Sequence, residues 1–400
     1  MKFALLGSDS DSLALSTAAL AAGHELVWQE KNDWQILLDR QWVDLVIVGH
    51  GQDPPEVRTE QLISLAKQGV AVLSTHPVVP SVLSYFEIDM ARDESGALFR
   101  HYHPTTEHPT VAQLATWARE GHPLLGKVQQ IVCQRKLANR TRERVLWHFA
   151  RDVLLLSSVG GHLNRLGALG TAMGDSTYAA LSVQMTGHLE CAVHWSVGPE
   201  DRQTGLELTL VGEQGRILLQ LDEKEQPRQL LLSIADKQEE LPLDSMDFDP
   251  ASNAVESMCQ QLSVTNADGT NTDGSHLAHR PVGQTAKDSA RQNLTQQDSH
   301  STWRKPLLAM ELTDTIEISL RRGRMIEVHH QQLTEHMAFK GMMSAFGCGL
   351  LMILPMLLLV LGWIMGEMGL SIASYWPHGL LLILGLFLAL QVLPWLLYTK

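Results

Sequence analysis

The chain has 400 residues, 44% of them hydrophobic, and carries 31 Lys and Arg against 44 Asp and Glu, a formal net charge of −13. That length allows two domains with sizeable cores and an extension, while the acidic balance argues against nucleic acid as a partner and against a soluble domain lying on anionic lipid. Four scattered cysteines (Cys133, Cys191, Cys259 and Cys348) form no Cys-x-x-Cys pair, which fits a reducing compartment and gives no disulfide framework or zinc site.

The first apolar run, Phe3 to Leu6, is bounded by Gly7 and predicts a buried parallel strand. It is too short for the core of a signal peptide. Ser10, Asp11 and Ser12 are helix-capping residues, Leu13 to Ala22 reads as a helix that Gly23 closes, and His24 to Trp28 reads as a second strand. This is the opening βαβ unit of a dinucleotide-binding fold. The three glycine positions of the Gly-x-Gly-x-x-Gly fingerprint hold Gly7, Asp9 and Ser12. Gly7 can make the turn, and Ser12 is small enough for close helix packing. A carboxylate at the second position sets charge against a pyrophosphate, at about 4 kcal/mol for unit charges 4 Å apart, or roughly three decades of affinity. Asp11 adds to the same field. Either these acids satisfy a helix N-terminus that holds no phosphate, or Asp9 turns outward.

Asp44 to Gly49 reads as a continuous apolar strand, Gln61 to Lys67 as a helix closing at Gly69, and Val70 to Leu73 as another strand ending in Ser74-Thr75-His76-Pro77. Alternation at this pace predicts a doubly wound parallel sheet over residues 1–120, with ligands at the carboxyl ends of its strands. The cofactor-binding candidates there are Gly7, Ser8, Asp9, Ser12, Glu30, Gly49, His50, Thr75 and Pro77. Glu30 stands about 20 residues past the turn, where an acid can hold a ribose hydroxyl; it reads equally as a solvated charge beside Lys31.

Residues 121–330 change character. An extended run reaches from Gly126 to Leu137, and a helix spans Glu143 to Ser158, with Gly160-Gly161 as its interruption before His162. Strand-like runs follow at Tyr178–Thr186, Leu189–Val197, Leu206–Gly212, Arg216–Leu221 and Gln229–Ala235, predicting an α+β domain with an open, mostly antiparallel sheet packed on a helix. Residues 260–302 are polar and predict a mobile insertion, and Trp303 to Arg322 returns to an amphipathic helix. His101, His103 and His108 read as a polar loop, and His148 with Asp152 as a surface pair.

After a juxtamembrane linker, 331–340, the segment Gly341–Gly366 has no charged residue and reaches roughly 39 Å as a helix, against a hydrocarbon core of roughly 30 Å. Residues 377–398 give a second span. The expectation is a transmembrane hairpin with the lipid bilayer as partner through 341–398. Arg322, Arg324, Lys340 and Lys400 place both chain ends in the cytoplasm.

Several landmarks occur in a familiar order. Ser74-Thr75-His76-Pro77 stands at the place of a Cys-Glu-Lys-Pro segment. Trp117 to Val128 matches a helix leading to Gly-x-Gly-x-Val, and Ser158 to Leu166 matches D-x-G-x-H-x-x-D-L through Gly160, His162 and Leu166. Gly212 to Ile217 matches a G-x-x-G-x-I hairpin, and Trp303, Glu311, Ser319 and Arg322–Arg324 match a closing helix. Over residues 1–330 the chain resembles the glucose–fructose oxidoreductase, inositol dehydrogenase and MocA family. The resemblance implies NAD or NADP on a Rossmann domain and hydride transfer with a sugar or polyol on the second domain. It also implies pairing of copies through the outer face of the second sheet. His162 then falls on the family's base, Ser158 on its substrate-binding acid, Arg165 on its second acid and His76 on its lysine, so the implied catalytic set is His162, His76 and Ser158, without a metal. Two readings follow: a membrane-anchored NAD(P)-dependent sugar or polyol oxidoreductase, or a catalytically inactive relative acting as a membrane-tethered binding or scaffold protein.

Overall fold

A computed structural model describes residues 1–29, 33–51, 53–172, 177–187, 189, 191–199, 205–235, 237–243, 248–269 and 285–328. The linker 331–340 and the spans expected at 341–366 and 377–398 lie outside these residues. Among the described residues no helix is long and apolar enough to cross a membrane.

The first half runs β1 (Lys2–Leu6), α1 (Ser10–Ala21), β2 (Glu25–Gln29), a 3₁₀ turn (Trp34–Leu38), β3 (Leu45–Val48), α2 (Pro55–Lys67), β4 (Ala71–Thr75), α3 (Val82–Ser95), β5 (Phe99–Tyr102), α4 (Pro104–Glu107) and α5 (Pro109–Glu120). The second half runs β6 (Val128–Leu137), α6 (Arg142–Gly160), β7 (Leu163–Ala172), β8 (Tyr178–Gly187), β9 (Ala192–Pro199), β10 (Gly205–Gly212), β11 (Gly215–Leu221), β12 (Pro227–Ile234) and β13 (Lys237–Leu241). It closes with α7 (Pro250–Gly269), α8 (Thr285–Arg322) and β14 (Ile326–Glu327).

The first sheet is wholly parallel, in the order β2-β1-β3-β4-β5, as the alternation predicts. Successive strand residues leave on opposite faces. Phe3, Leu5, Ile47 and Leu73 face Leu15 of α1 and Val255 and Met258 of α7. Ala4, Leu6, Val46 and Val72 face Leu62 and Leu65 of α2 and Tyr85 and Ile88 of α3. Both faces are covered, which is why these strands read as unbroken apolar runs.

The second sheet has nine strands in the order β13-β12-β11-β10-β6-β9-β8-β7-β14, antiparallel except for the β6–β9 pair. Its buried face (Ile131, Val193, Trp195, Leu208 and their neighbours) packs on Leu114 of α5, Phe149 of α6 and Leu312 and Ile316 of α8. One edge strand, β13, is exposed from Lys237 to Glu240, and the other edge, β14, is two residues long.

Three expectations need correction. Gly161, at φ 73°, ends α6, and the residues after it form β7 rather than more helix. The polar insertion of 260–302 is helical where it is described: α7 continues to Gly269 and α8 starts at Thr285. A helix satisfies its backbone internally, and Gln, Ala, Lys and Arg favour it, so a polar composition does not preclude one. Finally, the first domain does not close at residue 120. Trp303, Leu307 and Met310 of α8 join the core of the first sheet, while Leu308, Leu312 and Ile316 of the same helix join that of the second.

Trp303 is fully buried, stacked on Tyr85 at 5.4 Å between ring centres and edge-on to Phe99 at 5.5 Å. Trp303→Ala should therefore destabilise the protein by about 3–5 kcal/mol, read as a lower urea midpoint.

Candidate functional site

At the carboxyl end of β1 the chain turns through Gly7, at φ 133°, where a Cβ would come within 2.7 Å of the Gly49 backbone. The Ser8 N–H donates to the His50 carbonyl at 3.2 Å. Asp9 then caps α1. Its Oδ1 accepts from the N–H groups of Asp11 (3.0 Å) and Ser12 (2.9 Å), and its Oδ2 accepts from the Thr75 hydroxyl at 3.4 Å. A Cβ on Gly49 would collide with the Asp9 carboxylate and with Ser12. Asp9 thus points inward, onto the helix N-terminus that would otherwise receive an anion. Ser8 and His50 are exposed at the rim, while Ser12, Thr75 and Pro77 are buried below it. Apart from Glu30, which lies outside the described residues, the sequence-predicted cofactor residues gather at this end of the sheet.

His76, 1% exposed, uses both ring nitrogens. Nε2 lies 3.3 Å from the Ala150 carbonyl, so it donates, and Nδ1 accepts from the Tyr85 hydroxyl at 3.1 Å. That hydroxyl in turn accepts from the Val78 N–H at 3.0 Å. Burial first, then the charges of His101, His103 and Arg151, push the His76 pKa well below its usual 6.5. His76 is a neutral, fully bonded imidazole with no free nitrogen for a substrate proton.

Beside it a chain of ion pairs joins the two sheets. Arg151 of α6 donates to the His76 carbonyl at 2.9 Å, pairs with Asp11 at 2.8 Å and holds Glu225 at 2.7 Å. Glu225, in the β11–β12 turn, also meets Arg135 of β6 at 3.0 Å and lies 3.4 Å from His103 Nε2. Arg135 pairs with Asp152, whose Oδ2 also accepts from Trp195 Nε1 at 2.8 Å. Arg135, Arg151, Asp152 and Glu225 are all buried. Burial alone would raise the Glu225 pKa, but Arg151 and Arg135 overcome it and hold the carboxyl well below the usual 4.5. Burial wins at Asp11 and Asp152, which are raised in spite of their arginine partners. It also drives His103 and His148 down to about 3.

The expected catalytic set does not converge. His162 follows the end of α6, whereas His76 bonds Ala150; the helix between Ala150 and Gly160 covers about 15 Å. The Ser158 hydroxyl donates to the Leu154 carbonyl of its own helix at 2.9 Å. The part of α6 that faces His76 is Ala150–Asp152. On the same helix Phe149 is fully buried and edge-on to Trp195. His148 and Asp152 are not a surface pair, since Asp152 is 1% exposed. Nor do His103 and His108 sit in a polar loop: both are buried, and His108 Nδ1 accepts from the Thr110 N–H at the start of α5.

Sequence reasoning missed Arg135, Arg151 and Glu225. A signal existed for the arginines. Arg135 takes an inward position in the Ile131, Cys133, Leu137 alternation, and Arg151-Asp152 interrupts the apolar run of α6. Buried charges of this kind require partners.

No family model and no curated protein matches the chain. Solved structures do. A putative NADPH-dependent oxidoreductase from Desulfitobacterium hafniense has a TM-score of 0.61 at 13% identity, covering 82% of this chain and 97% of its own. An oxidoreductase from Agrobacterium radiobacter, in complex with NAD+, L-tartaric acid and magnesium, has 0.55 at 10%, covering 82% and 98%. The super-repressor mutant of Gal80p from Saccharomyces cerevisiae has 0.58 at 10%, also covering 82% and 98%. The chain therefore has a fold found in NAD(P)-dependent oxidoreductases, as the resemblance implies. The residues at its crevice do not fit a dinucleotide as they stand, because Asp9 holds the N–H groups a diphosphate would take and Asp11 stands beside them.

Glu225→Gln leaves two buried guanidiniums short of charge and should cost about 3–5 kcal/mol. A depressed carboxyl stabilises fully above its unfolded value and loses that contribution as pH falls toward its folded value. The stability difference between unmodified chain and variant should therefore be largest above the usual 4.5 and shrink below it, as read from urea midpoints across pH.

Proposed function

We propose that this protein is a membrane-tethered binding or scaffold protein built on an oxidoreductase fold, without the ordinary hydride-transfer reaction. One observation carries the reading: the Asp9 carboxylate occupies the N–H groups of α1 that a cofactor diphosphate would need. The bonded state of His76 and the ion pairs filling the joint support it. So does the presence among the structural neighbours of Gal80p, described through its repressor mutant. The tether rests on the uncharged stretches 341–366 and 377–398, with both ends cytoplasmic by their flanking basic residues. The binding partner is a protein or a small sugar-like ligand, and the protein itself pairs with a second copy. The other reading, an NAD(P)-dependent sugar or polyol oxidoreductase, is favoured by the βαβ turn kept at Gly7 and by the NAD+ complex of the Agrobacterium neighbour.

Titration of NADH and NADPH by fluorescence separates the two. The unmodified chain should show no saturable binding, while Asp9→Gly should bind, with a gain of up to roughly three decades from the removed charge. Tight binding by the unmodified chain would favour the oxidoreductase reading and call for a screen of sugar oxidation. For the tether, the full chain should stay with the membrane pellet through alkaline carbonate and be released by detergent. Release by carbonate alone would remove the anchor from the proposal.

A further inference from the structure

The opposite end of the first sheet, where its strands begin, carries a second cluster of donors. A cavity of about 370 Å³ opens there, lined by Met1, His24, Arg40, Asp44, Cys259 and Ser263 among others. Inside it the Cys259 thiol sulfur lies 3.3 Å from His24 Nε2 and 3.9 Å from the thioether sulfur of Met1. The three donors come from separate places in the chain: Met1 precedes β1, His24 lies between α1 and β2, and Cys259 is on α7. None of them belongs to the crevice or its ion pairs.

We propose that Met1, His24 and Cys259 form a binding site for a soft monovalent cation, copper(I). Thiolate and thioether donors select Cu(I) over harder ions. Structural zinc takes four donors drawn from Cys, His and carboxylates, and this set offers only two of that kind. The spacing suits a trigonal centre. Metal–sulfur bonds of about 2.3 Å at 120° separate two sulfurs by about 4.0 Å, and the sulfurs here are 3.9 Å apart. The same geometry asks for about 3.8 Å between sulfur and imidazole nitrogen, so the 3.3 Å contact lengthens as a metal replaces the shared proton.

The electrostatic setting agrees. Gly23, Gly69 and Gly96, at φ 81°, 68° and 68°, close α1, α2 and α3 at this edge, and Gly69 and Gly96 line the cavity. Helix C-termini favour a cation. Arg40 brings positive charge and Asp44 offsets part of it, which favours a singly charged ion over a divalent one. Binding replaces the S–H bond of Cys259 by S–Cu and releases one proton to solvent, with no change of oxidation state.

The test is a titration of the reduced full chain with Cu(I) against a chromophoric Cu(I) chelator, followed by X-ray absorption of the loaded protein. The chain should hold one equivalent. Cys259→Ser and His24→Ala should each weaken it by at least about tenfold, the lower bound for losing even an outer partner of a metal. Cys348→Ser should leave it unchanged. The absorption spectrum, which needs no variant to fold, should show two sulfur neighbours and one nitrogen. No retained copper, equal retention by Cys259→Ser, or a shell with any other set of neighbours would overturn the site.

Discussion

Glu225 is the point on which the molecule turns. Its carboxylate sits between two guanidiniums, Arg135 from the middle of the second sheet and Arg151 from the helix above it, and through Arg151 it reaches Asp11 on the first helix of the other sheet. Taking such charges out of water costs several kcal/mol per ion, so the cluster is not a cheap source of stability. It gives a unique arrangement instead. Removing any member leaves its partners short of a counter-charge where burial makes that costly. Glu225 even holds a left-handed backbone, φ 61°, that a side chain ordinarily avoids. Its two guanidinium neighbours and the Thr105 hydroxyl on its carbonyl keep it there.

The helix α8 does by packing what Glu225 does by charge. One stretch of it presents Trp303, Leu307 and Met310 to the first sheet and Leu308, Leu312 and Ile316 to the second. A helix rotates its side chains by about 100° per residue, so adjacent positions can serve different cores. The two sheets are therefore joined twice, and the crevice at the strand ends is a seam between parts that are already fixed.

Much of this was legible in the sequence. The apolar runs at Phe3–Leu6, Asp44–Gly49 and Val70–Leu73 announce a parallel sheet because strands covered on both faces have no polar alternation to dilute them. The alternating runs at Leu206–Gly212 and Arg216–Leu221 announce the antiparallel one. The conflict at Asp9 was also visible, and only its outcome needed coordinates, since a carboxylate on a turn can face either way. The expected catalytic residues do not meet, for a physical reason. Gly160, His162 and Leu166 match a helical motif in spelling, but Gly160 is the last residue of the helix, His162 lies in the link after Gly161, and Leu166 is on the following strand. Glu225 was out of reach because a turn glutamate between two strands has the sequence signature of a solvated loop. Only the meeting of distant elements buries it.

The ends of the nine-stranded sheet limit how one molecule can meet another. On one side the terminal strand shows lysine, glutamine and two glutamates to solvent, and on the other it stops after two residues. Neither offers the long, flat, uncharged ladder onto which a neighbour's strand could add. Continuous strand-to-strand growth, the usual hazard of a broad open sheet, is blocked at both borders. Copies of the molecule are left to meet through faces rather than through borders.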